Sequence, residues 1–328
     1  MSSESMNRRG LSEEFISSLK MGILTPILNR VKLDSVLDFQ IRENYVNIYY
    51  RGGNILKIDE KNGNFIPHFE NKYVTEHSIK VTDLPDALET KNDAEAWLNS
   101  IPHLKHEMDI WFGKHPKNER EFQQLVAREN NYSNIAKSTD YFIIDIEYDN
   151  RKGDSSKKGA RFDLVAVKWE SDPVSRKLQK GYKPTLSFFE MKYGDASLTK
   201  KAGIIAHIKD FETFFAEASN ISDIKNEMAE VFRQKRELGL LPSLKGNNKN
   251  IENFAEKVEY VFLIANHDPE KTNLNSLLEE VSQKEDQNKY GFDIKFCVSN
   301  FMGYGLYKEN LFDTIIFREN FKKQILNK

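Results

Sequence analysis

The sequence predicts an α/β protein in which a helix, a three-strand antiparallel meander, a second helix and a further strand form the core, preceded by an N-terminal α+β domain. Three runs of strand length, at 141–148, 161–169 and 185–193, are rich in aromatic and β-branched residues and follow one another closely. Segments with helical spacing flank them on both sides. Strands that alternate with helices indicate a layered α/β arrangement.

The N-terminal part combines helices with a group of short strands. Residues 12–31 have the spacing of an amphipathic helix that breaks near Pro26. Turns that contain Asn or Gly then separate four strand-like runs, LDFQI, YVNIYYR, NILKI and FIPHF. Residues 93–112 predict a helix interrupted at Pro102. Gly, Pro and charged residues at 113–117 predict a boundary there, which gives domains 1–115 and 116–328.

The second domain has a regular succession of elements. Phe122, Leu125 and Val126 lie at i, i+3 and i+4, the spacing of an amphipathic helix over 118–130. After the meander, the pattern predicts helices at 199–218 and onward to about residue 240, a strand at 258–266, a helix at 274–281, and strands at 292–300 and 311–317.

Composition narrows the class of protein. Hydrophobic residues make up 39% and charged residues 30% of the 328 residues, which is typical of a folded globular chain. The single cysteine, Cys297, excludes an internal disulfide framework and a multi-cysteine zinc site. No apolar stretch is long enough to cross a bilayer or to act as a signal peptide, so we expect a cytoplasmic protein with no membrane partner.

Charge is distributed unevenly along the chain. The net charge is only -2, but residues 151–201 contain 13 lysines and arginines against six acidic residues. Such an excess would favour a polyanionic partner. The alternative is that lysines in hairpin loops simply keep the strand ends soluble.

Two charged residues end the third strand of the meander. Glu190 and Lys192 follow the apolar run TLSFF, and residues i and i+2 of a strand point to the same face. The same Glu-x-Lys pattern also occurs at 70–72 and 89–91, so the tripeptide alone indicates little. The strongly apolar strand before it distinguishes the copy at 190–192.

Asp163 begins the preceding strand, and hairpin geometry predicts its neighbour. If the loop from Glu170 to Lys183 closes a hairpin, Trp169 lies opposite Pro184 and Asp163 lies opposite Glu190. Opposed residues on one face are about 4.5 to 5.5 Å apart at Cβ. Two carboxylates at that separation need a cation between them, and Mg²⁺ accepts such oxygen ligands. A surface pair of acidic and basic side chains is the alternative explanation.

This arrangement resembles the PD-(D/E)XK, or restriction-endonuclease-like, nuclease superfamily. The resemblance covers about residues 118–300 and depends on Asp163, on Glu190-x-Lys192, and on helices before and after the strands. Phe162 stands where the family's motif has proline. On the following helix, His207 stands where the family often has glutamine.

The resemblance implies metal-dependent hydrolysis of phosphodiester bonds. Asp163 and Glu190 would hold Mg²⁺ or Mn²⁺, and the main-chain carbonyl of Met191 would add a ligand. Lys192 would position the attacking water or help to deprotonate it.

Other acidic residues are candidates for the same centre. The family tends to have an acid on the preceding helix, and Glu121 is the candidate metal ligand, with Glu119 as the alternative. Asn118 and Glu121 also have the spacing of a capping box, which would give Glu121 a structural role. Asp145 and Glu147 share a strand face and would either approach the centre or pair with a cationic side chain across the strand.

Several residues are candidates for contacts with nucleic acid. Lys200, Lys201 and His207 follow the meander, where a phosphate backbone would run, although a solvated helix face is the alternative. Tyr304 and Tyr307 would either stack on bases or pack within an aromatic loop.

Together with the resemblance, these patterns favour a cytoplasmic, Mg²⁺-dependent endonuclease that acts on DNA, and the resemblance implies restriction or defence as a natural setting. Residues 1–115 would recognise a target or partner, and a homodimer would suit double-strand cleavage. One alternative is a non-catalytic module that keeps the fold and binds nucleic acid or protein. Another is an unrelated α/β protein with surface ion pairs.

Overall fold

The computed structural model describes residues 9–74, 84–149, 160–199, 202–247, 249–266, 273–285, 291–299 and 311–326. These residues form a mixed α/β structure with two separate sheets. The chain divides into two compact units, Met1–Gln124 with Asn226–Gly246, and Leu125–Lys225 with Asn247–Lys328. The boundary predicted near residue 115 lies close to the end of the first segment. The return of residues 226–246 to the first unit has no counterpart in the sequence-based domain assignment.

The first unit contains a four-stranded antiparallel sheet in the order β1-β2-β3-β4. Its strands are β1 (Leu37–Ile41), β2 (Tyr45–Tyr50), β3 (Gly53–Lys61) and β4 (Asn64–His68), which match the four predicted runs. Arg51 and Gly52 turn the chain between β2 and β3, both with φ in the left-handed region, at 50° and 72°. This is the conformation that a tight hairpin turn requires.

Three helices precede or follow this sheet in the chain. They are α1 (Glu13–Lys20), α2 (Thr25–Leu33) and α3 (Lys91–Lys114). The predicted break near Pro26 is confirmed, because Pro26 lies in the first turn of α2. The predicted interruption at Pro102 is wrong, because α3 continues through it from a capping box at Thr90 and Asp93. Proline removes one N–H from the helix, and that loss does not end a helix of this length here.

The second unit is organised around a six-stranded sheet in the order β10-β9-β8-β7-β6-β5. The predicted meander is confirmed, because β5 (Tyr141–Asp149), β6 (Arg161–Lys168) and β7 (Thr185–Tyr193) are consecutive antiparallel neighbours. The next strands, β8 (Glu259–Ala265) and β9 (Asp293–Ser299), continue the sheet in parallel. Every residue of β8 is buried, as the apolar run that follows Glu259 predicts.

The remaining helices include α4 (Asn118–Asn131), the short α5 (Pro173–Arg176), α6 (Ile204–Phe215), α7 (Ala218–Glu237), α8 (Leu274–Glu285) and α9 (Thr314–Leu326). Helices α4, α6, α7 and α8 were predicted, and α5 and α9 were not. Helices α4 and α7 contain residues of both units. No helix within the described ranges is both long and apolar enough to span a membrane.

The strand predicted at 311–317 is largely wrong. Only β10 (Phe312–Asp313) pairs with β9, and α9 follows at once. The carboxylate of Asp313 accepts a 2.9 Å hydrogen bond from the N–H of Ile316. This bond caps the start of the helix, so the side chain of Asp313 directs a β-branched segment into helical conformation.

Candidate active site

The register between β6 and β7 brings Asp163 next to Glu190. The paired residues run from Leu164 opposite Phe189 to Lys168 opposite Thr185, which is the predicted hairpin register. Asp163 and Glu190 lie one step beyond the pair Leu164 and Phe189. The hairpin prediction is therefore confirmed for the paired run, and both acids lie where that run ends.

Asp163 is fixed by a main-chain contact on the neighbouring strand. Its Oδ2 atom accepts a 2.7 Å hydrogen bond from the N–H of Met191. A carboxylate here satisfies a buried main-chain donor at the end of the β6–β7 ladder. The residue is 6% exposed, so its charge is largely removed from water.

Glu190 receives two nitrogen contacts at one carboxylate oxygen. The Nζ atom of Lys192 lies 2.7 Å from Oε1 of Glu190, and the Nε2 atom of His207 lies 3.0 Å from the same atom. Side-chain exposure is 6% for Glu190 and 4% for Lys192, but 25% for His207. His207 is therefore the member of this cluster that solvent reaches most readily.

His207 is a neutral imidazole at neutral pH. Burial, together with the positive charge of Lys192, lowers the pKa of His207 to about 4, and a backbone hydrogen bond with Ala202 only partly opposes this shift. Its N–H at Nε2 can then donate to Glu190 without adding a full positive charge. The cluster thus brings two carboxylates, a lysine and an imidazole together.

Aromatic side chains form the wall beside these groups. Phe211 lies one helical turn after His207 on α6, and its ring stacks on Tyr260 with centroids 4.4 Å apart. Burial raises the pKa of the Tyr260 phenol well above its usual value, and the charges of Glu190, Asp163 and Asp210 raise it further. The phenol therefore lies within electrostatic reach of both strand carboxylates. Sequence analysis missed Tyr260, because its position follows from the parallel register that puts it beside Phe188.

Glu121 has a defined partner in the first unit. Its carboxylate pairs with Arg51 at 3.1 Å, and Arg51 also contacts Asp109 at 2.8 Å. The proposed capping box is wrong, because the N–H of Glu121 bonds to the carbonyl of Lys117 and makes Asn118 the first helical residue. The role of Glu121 as a metal ligand stays a prediction, as does the alternative at Glu119.

The two candidate acids of β5, Asp145 and Glu147, have different surroundings. Glu147 has φ of 55° and forms an ion pair with Arg161 across the strands, which was one of the two predicted outcomes. Asp145 is fully buried and lies opposite Val165. Lys200, Lys201, Tyr304 and Tyr307 lie outside the described residues.

Within the described ranges, no three side chains of His, Cys, Asp or Glu are grouped so that they could hold a metal ion. The predicted ligand set had three such side chains, Asp163, Glu190 and Glu121, besides the main-chain carbonyl of Met191, and these three do not form a group of this kind. The donor chemistry of Asp163 and Glu190 fits a hard divalent cation, because both supply carboxylate oxygens. The metal itself stays a prediction.

Comparison with known proteins adds no relationship. No family model, curated protein or solved structure matches this chain.

Proposed function

We propose that this protein is a metal-dependent nuclease that hydrolyses phosphodiester bonds, with Asp163, Glu190 and Lys192 in its active site. The observation that carries the proposal is the cluster at the ends of β6 and β7. There Asp163 bonds to the N–H of Met191, and Glu190 contacts both Lys192 and His207. These groups come from two strands and a helix, and all of them lie in the second unit.

The carboxylate oxygens of the cluster would suit a cation. Asp163 and Glu190 are 6% and 5% exposed, so water would compete little for an ion bound to them. Mg²⁺ or Mn²⁺ would bind carboxylate oxygens and leave positions for water and for a substrate phosphate. When bound, the ion would supply positive charge to the phosphate and favour loss of a proton from water.

The side chains around the carboxylates would act on the substrate. The Nζ atom of Lys192 lies 2.7 Å from the carboxylate of Glu190, so its ammonium would orient the attacking water or a phosphate oxygen. His207, the most exposed group of the cluster, would meet the phosphate backbone first. The aromatic pair Phe211 and Tyr260 keeps this wall of the site rigid.

The wider setting follows the family resemblance. We propose a restriction-endonuclease-like core in the second unit, DNA as the substrate, and restriction or defence as the context. The first unit would recognise a target or partner, and a homodimer would place two centres on a duplex. A cytoplasmic location agrees with this role.

The test compares cleavage by variants that change charge with little change in shape. Wild type, Asp163→Asn and Glu190→Gln are incubated with plasmid, single-stranded DNA and RNA, each with Mg²⁺, with Mn²⁺ and with EDTA. Asp223→Asn is the matched control, because Asp223 is exposed and lies outside the cluster. We expect cation-dependent cleavage by wild type and the control, and its loss in the two site variants.

A second measurement separates catalysis from binding. Isothermal titration with Mn²⁺ should show a site in wild type that Asp163→Asn weakens by at least about tenfold, as expected when one of two charged ligands is lost. If wild type cleaves none of the substrates, and its Mn²⁺ affinity equals that of Asp163→Asn, the nuclease proposal fails. Nucleic-acid binding without cleavage would then favour the non-catalytic binding module.

A further inference from the structure

The loop that joins β6 to β7, residues 169–184, is anchored by buried side chains. The guanidinium of Arg176 lies between two rings, 4.6 Å from the centroid of Phe142 and 5.9 Å from that of Trp169. It also donates to the carbonyls of Glu170 at 2.9 Å and Thr139 at 2.6 Å. Burial lowers the pKa of Arg176 to about 10, which shows how far this charge is removed from water.

Further hydrogen bonds hold the same loop at other points. The indole N–H of Trp169 donates to the carbonyl of Ser175 at 2.6 Å. Asp172 caps α5 by accepting from the N–H groups of Val174 and Ser175. The hydroxyl of Tyr182 accepts from the N–H of Glu170 at 3.1 Å. The path of the loop is therefore determined from its beginning almost to its end.

This fixed framework presents lysines to solvent. Lys177, Lys180 and Lys183 are all exposed, and no acidic residue occurs between Asp172 and Glu190. Lys249 is also exposed, two residues from Asn247, whose amide donates to the carbonyl of Arg176 at 3.0 Å. We call Lys177, Lys180, Lys183 and Lys249 the basic rim.

The backbone between these lysines is unusual for a loop of ordinary residues. Leu178, Lys180 and Gly181 all have positive φ, at 50°, 54° and 71°. Non-glycine residues adopt this conformation only when their surroundings enforce it. A loop that merely kept strand ends in water would need neither this backbone nor a half-buried arginine over two aromatic rings.

We propose that the basic rim is a binding surface for the phosphate backbone of a nucleic acid, distinct from the carboxylate cluster. Lysines act as point charges toward phosphates, and holding them on a fixed loop reduces the entropy lost when they bind. The choice of nucleic acid as the polyanion rests on the proposed function.

The rim and the cluster lie at opposite ends of the same strands. Asp163 is the third residue of β6, and Lys168 ends the strand. Five residue steps at about 3.3 Å each separate these two residues by about 17 Å. That length corresponds to about five base pairs of duplex, so one bound duplex can reach both places.

The test measures binding without cleavage, in EDTA, with a fluorescein-labelled 20-base-pair duplex at several salt concentrations. The loop variant is Lys177→Glu/Lys180→Glu/Lys183→Glu. The control is Lys61→Glu/Lys114→Glu/Lys117→Glu, which makes the same change in net charge at three exposed lysines of the first unit. Circular dichroism and thermal melting establish that both variants are folded.

We expect the loop variant to bind at least about tenfold more weakly at 100 mM salt, while the control changes by less than about threefold. The slope of log Kd against log salt should also fall by about 2 to 3 in the loop variant, because three phosphate contacts are lost. Equal losses in both variants, or no binding by wild type at low salt, would overturn the proposal. A loss confined to the loop variant supports it even if Asp163→Asn shows that the protein is not a nuclease.

Discussion

The Oδ2 atom of Asp163 accepts a 2.7 Å hydrogen bond from the N–H of Met191, the residue between Glu190 and Lys192. One carboxylate is thus tied to the strand segment that carries the other two charged groups. In the free protein this hydrogen bond joins β6 to β7. It also fixes the direction of the other carboxylate oxygen of Asp163.

Two substitutions of Asp163 should separate its structural role from its chemical role. In Asp163→Asn the amide oxygen can still accept from Met191, so we expect a melting temperature within about 3 °C of wild type but at least a hundredfold loss of cleavage. In Asp163→Leu the buried N–H loses its acceptor, which should cost about 1 to 3 kcal/mol as well. Thermal melts and cleavage rates measure both effects. Full activity of Asp163→Asn would rule out the proposed role.

Glu190 and Lys192 should behave as a coupled pair in a double-mutant cycle. Lys192→Met leaves the Glu190 carboxylate buried without its cation, so we expect a loss of about 3 kcal/mol in the free energy of unfolding. Glu190→Gln/Lys192→Met should lose clearly less than the sum of the single changes, because the Glu190 charge is removed together with its cation. Urea denaturation in EDTA measures the cycle. Strict additivity would show that the 2.7 Å contact contributes no interaction energy.

The lowered pKa of His207 predicts that the free energy of unfolding depends on pH. Its pKa is lowered to about 4 in the folded protein, below its usual value of 6.5, so the unfolded chain binds more protons between these values. The contribution of neutral His207 to the free energy of unfolding is therefore fully present above about pH 6.5, and it is lost as the pH falls toward 4. Urea denaturation of wild type and His207→Gln in EDTA, at pH 7.0, 5.5 and 4.5, isolates this residue. We expect wild type to lose more stability than the variant, and parallel curves would contradict the assignment.

The buried carboxylate of Glu259 should be a major determinant of stability in the second unit. It accepts from Tyr141 at 3.0 Å, from Ser187 at 2.9 Å and from Lys168 at 2.7 Å, and so links four strands. Glu259→Ala leaves these donors without their acceptor, so we expect a loss of about 3 kcal/mol. The exposed Glu256→Ala is the matched control and should change stability by less than about 0.5 kcal/mol. Comparable effects of the two substitutions would disprove the assigned role.

Two glycines of the first unit offer a test of steric crowding at positive φ. Gly52 and Gly63 have φ of 72° and 78°, but a Cβ at Gly52 would lie 2.5 Å from the main-chain carbon of Arg120, whereas Gly63 faces open space. Gly63→Ala should cost about 1 kcal/mol from backbone conformation alone, and Gly52→Ala should cost several times more. Urea denaturation of the two variants provides the comparison. Equal costs would show that the Arg120 backbone moves aside.

Local patterns explain why much of the second unit was predictable. The three strands of the meander follow one another closely in the sequence, and the loop between two paired strands sets their register. Asp163 could therefore be placed beside Glu190 by counting residues. Parallel pairing depends on residues far apart in the chain, such as Phe188 and Tyr260, and no turn specifies that register.

The remaining wrong predictions came from local sequence signals that other contacts in the folded protein override. Pro102 signals a break, but α3 continues through that position. Ile315 and Ile316 favour a strand, whereas the Asp313 cap starts a helix. His207 was identified as a candidate for nucleic-acid contact, but its contact with Glu190 depends on how α6 packs against β7, which no spacing rule provides.

The discontinuous path of the first unit affects how the protein can be made. The N–H of Leu11 donates to Gln234 at 2.9 Å, and Lys235 donates to Gln40 at 3.0 Å, across separations of 223 and 195 residues. A ribosome that has released only the first 124 residues has therefore not yet supplied the helix that completes their unit. The first unit can therefore be completed only after the whole meander has been synthesised, although its N-terminal strands are made first.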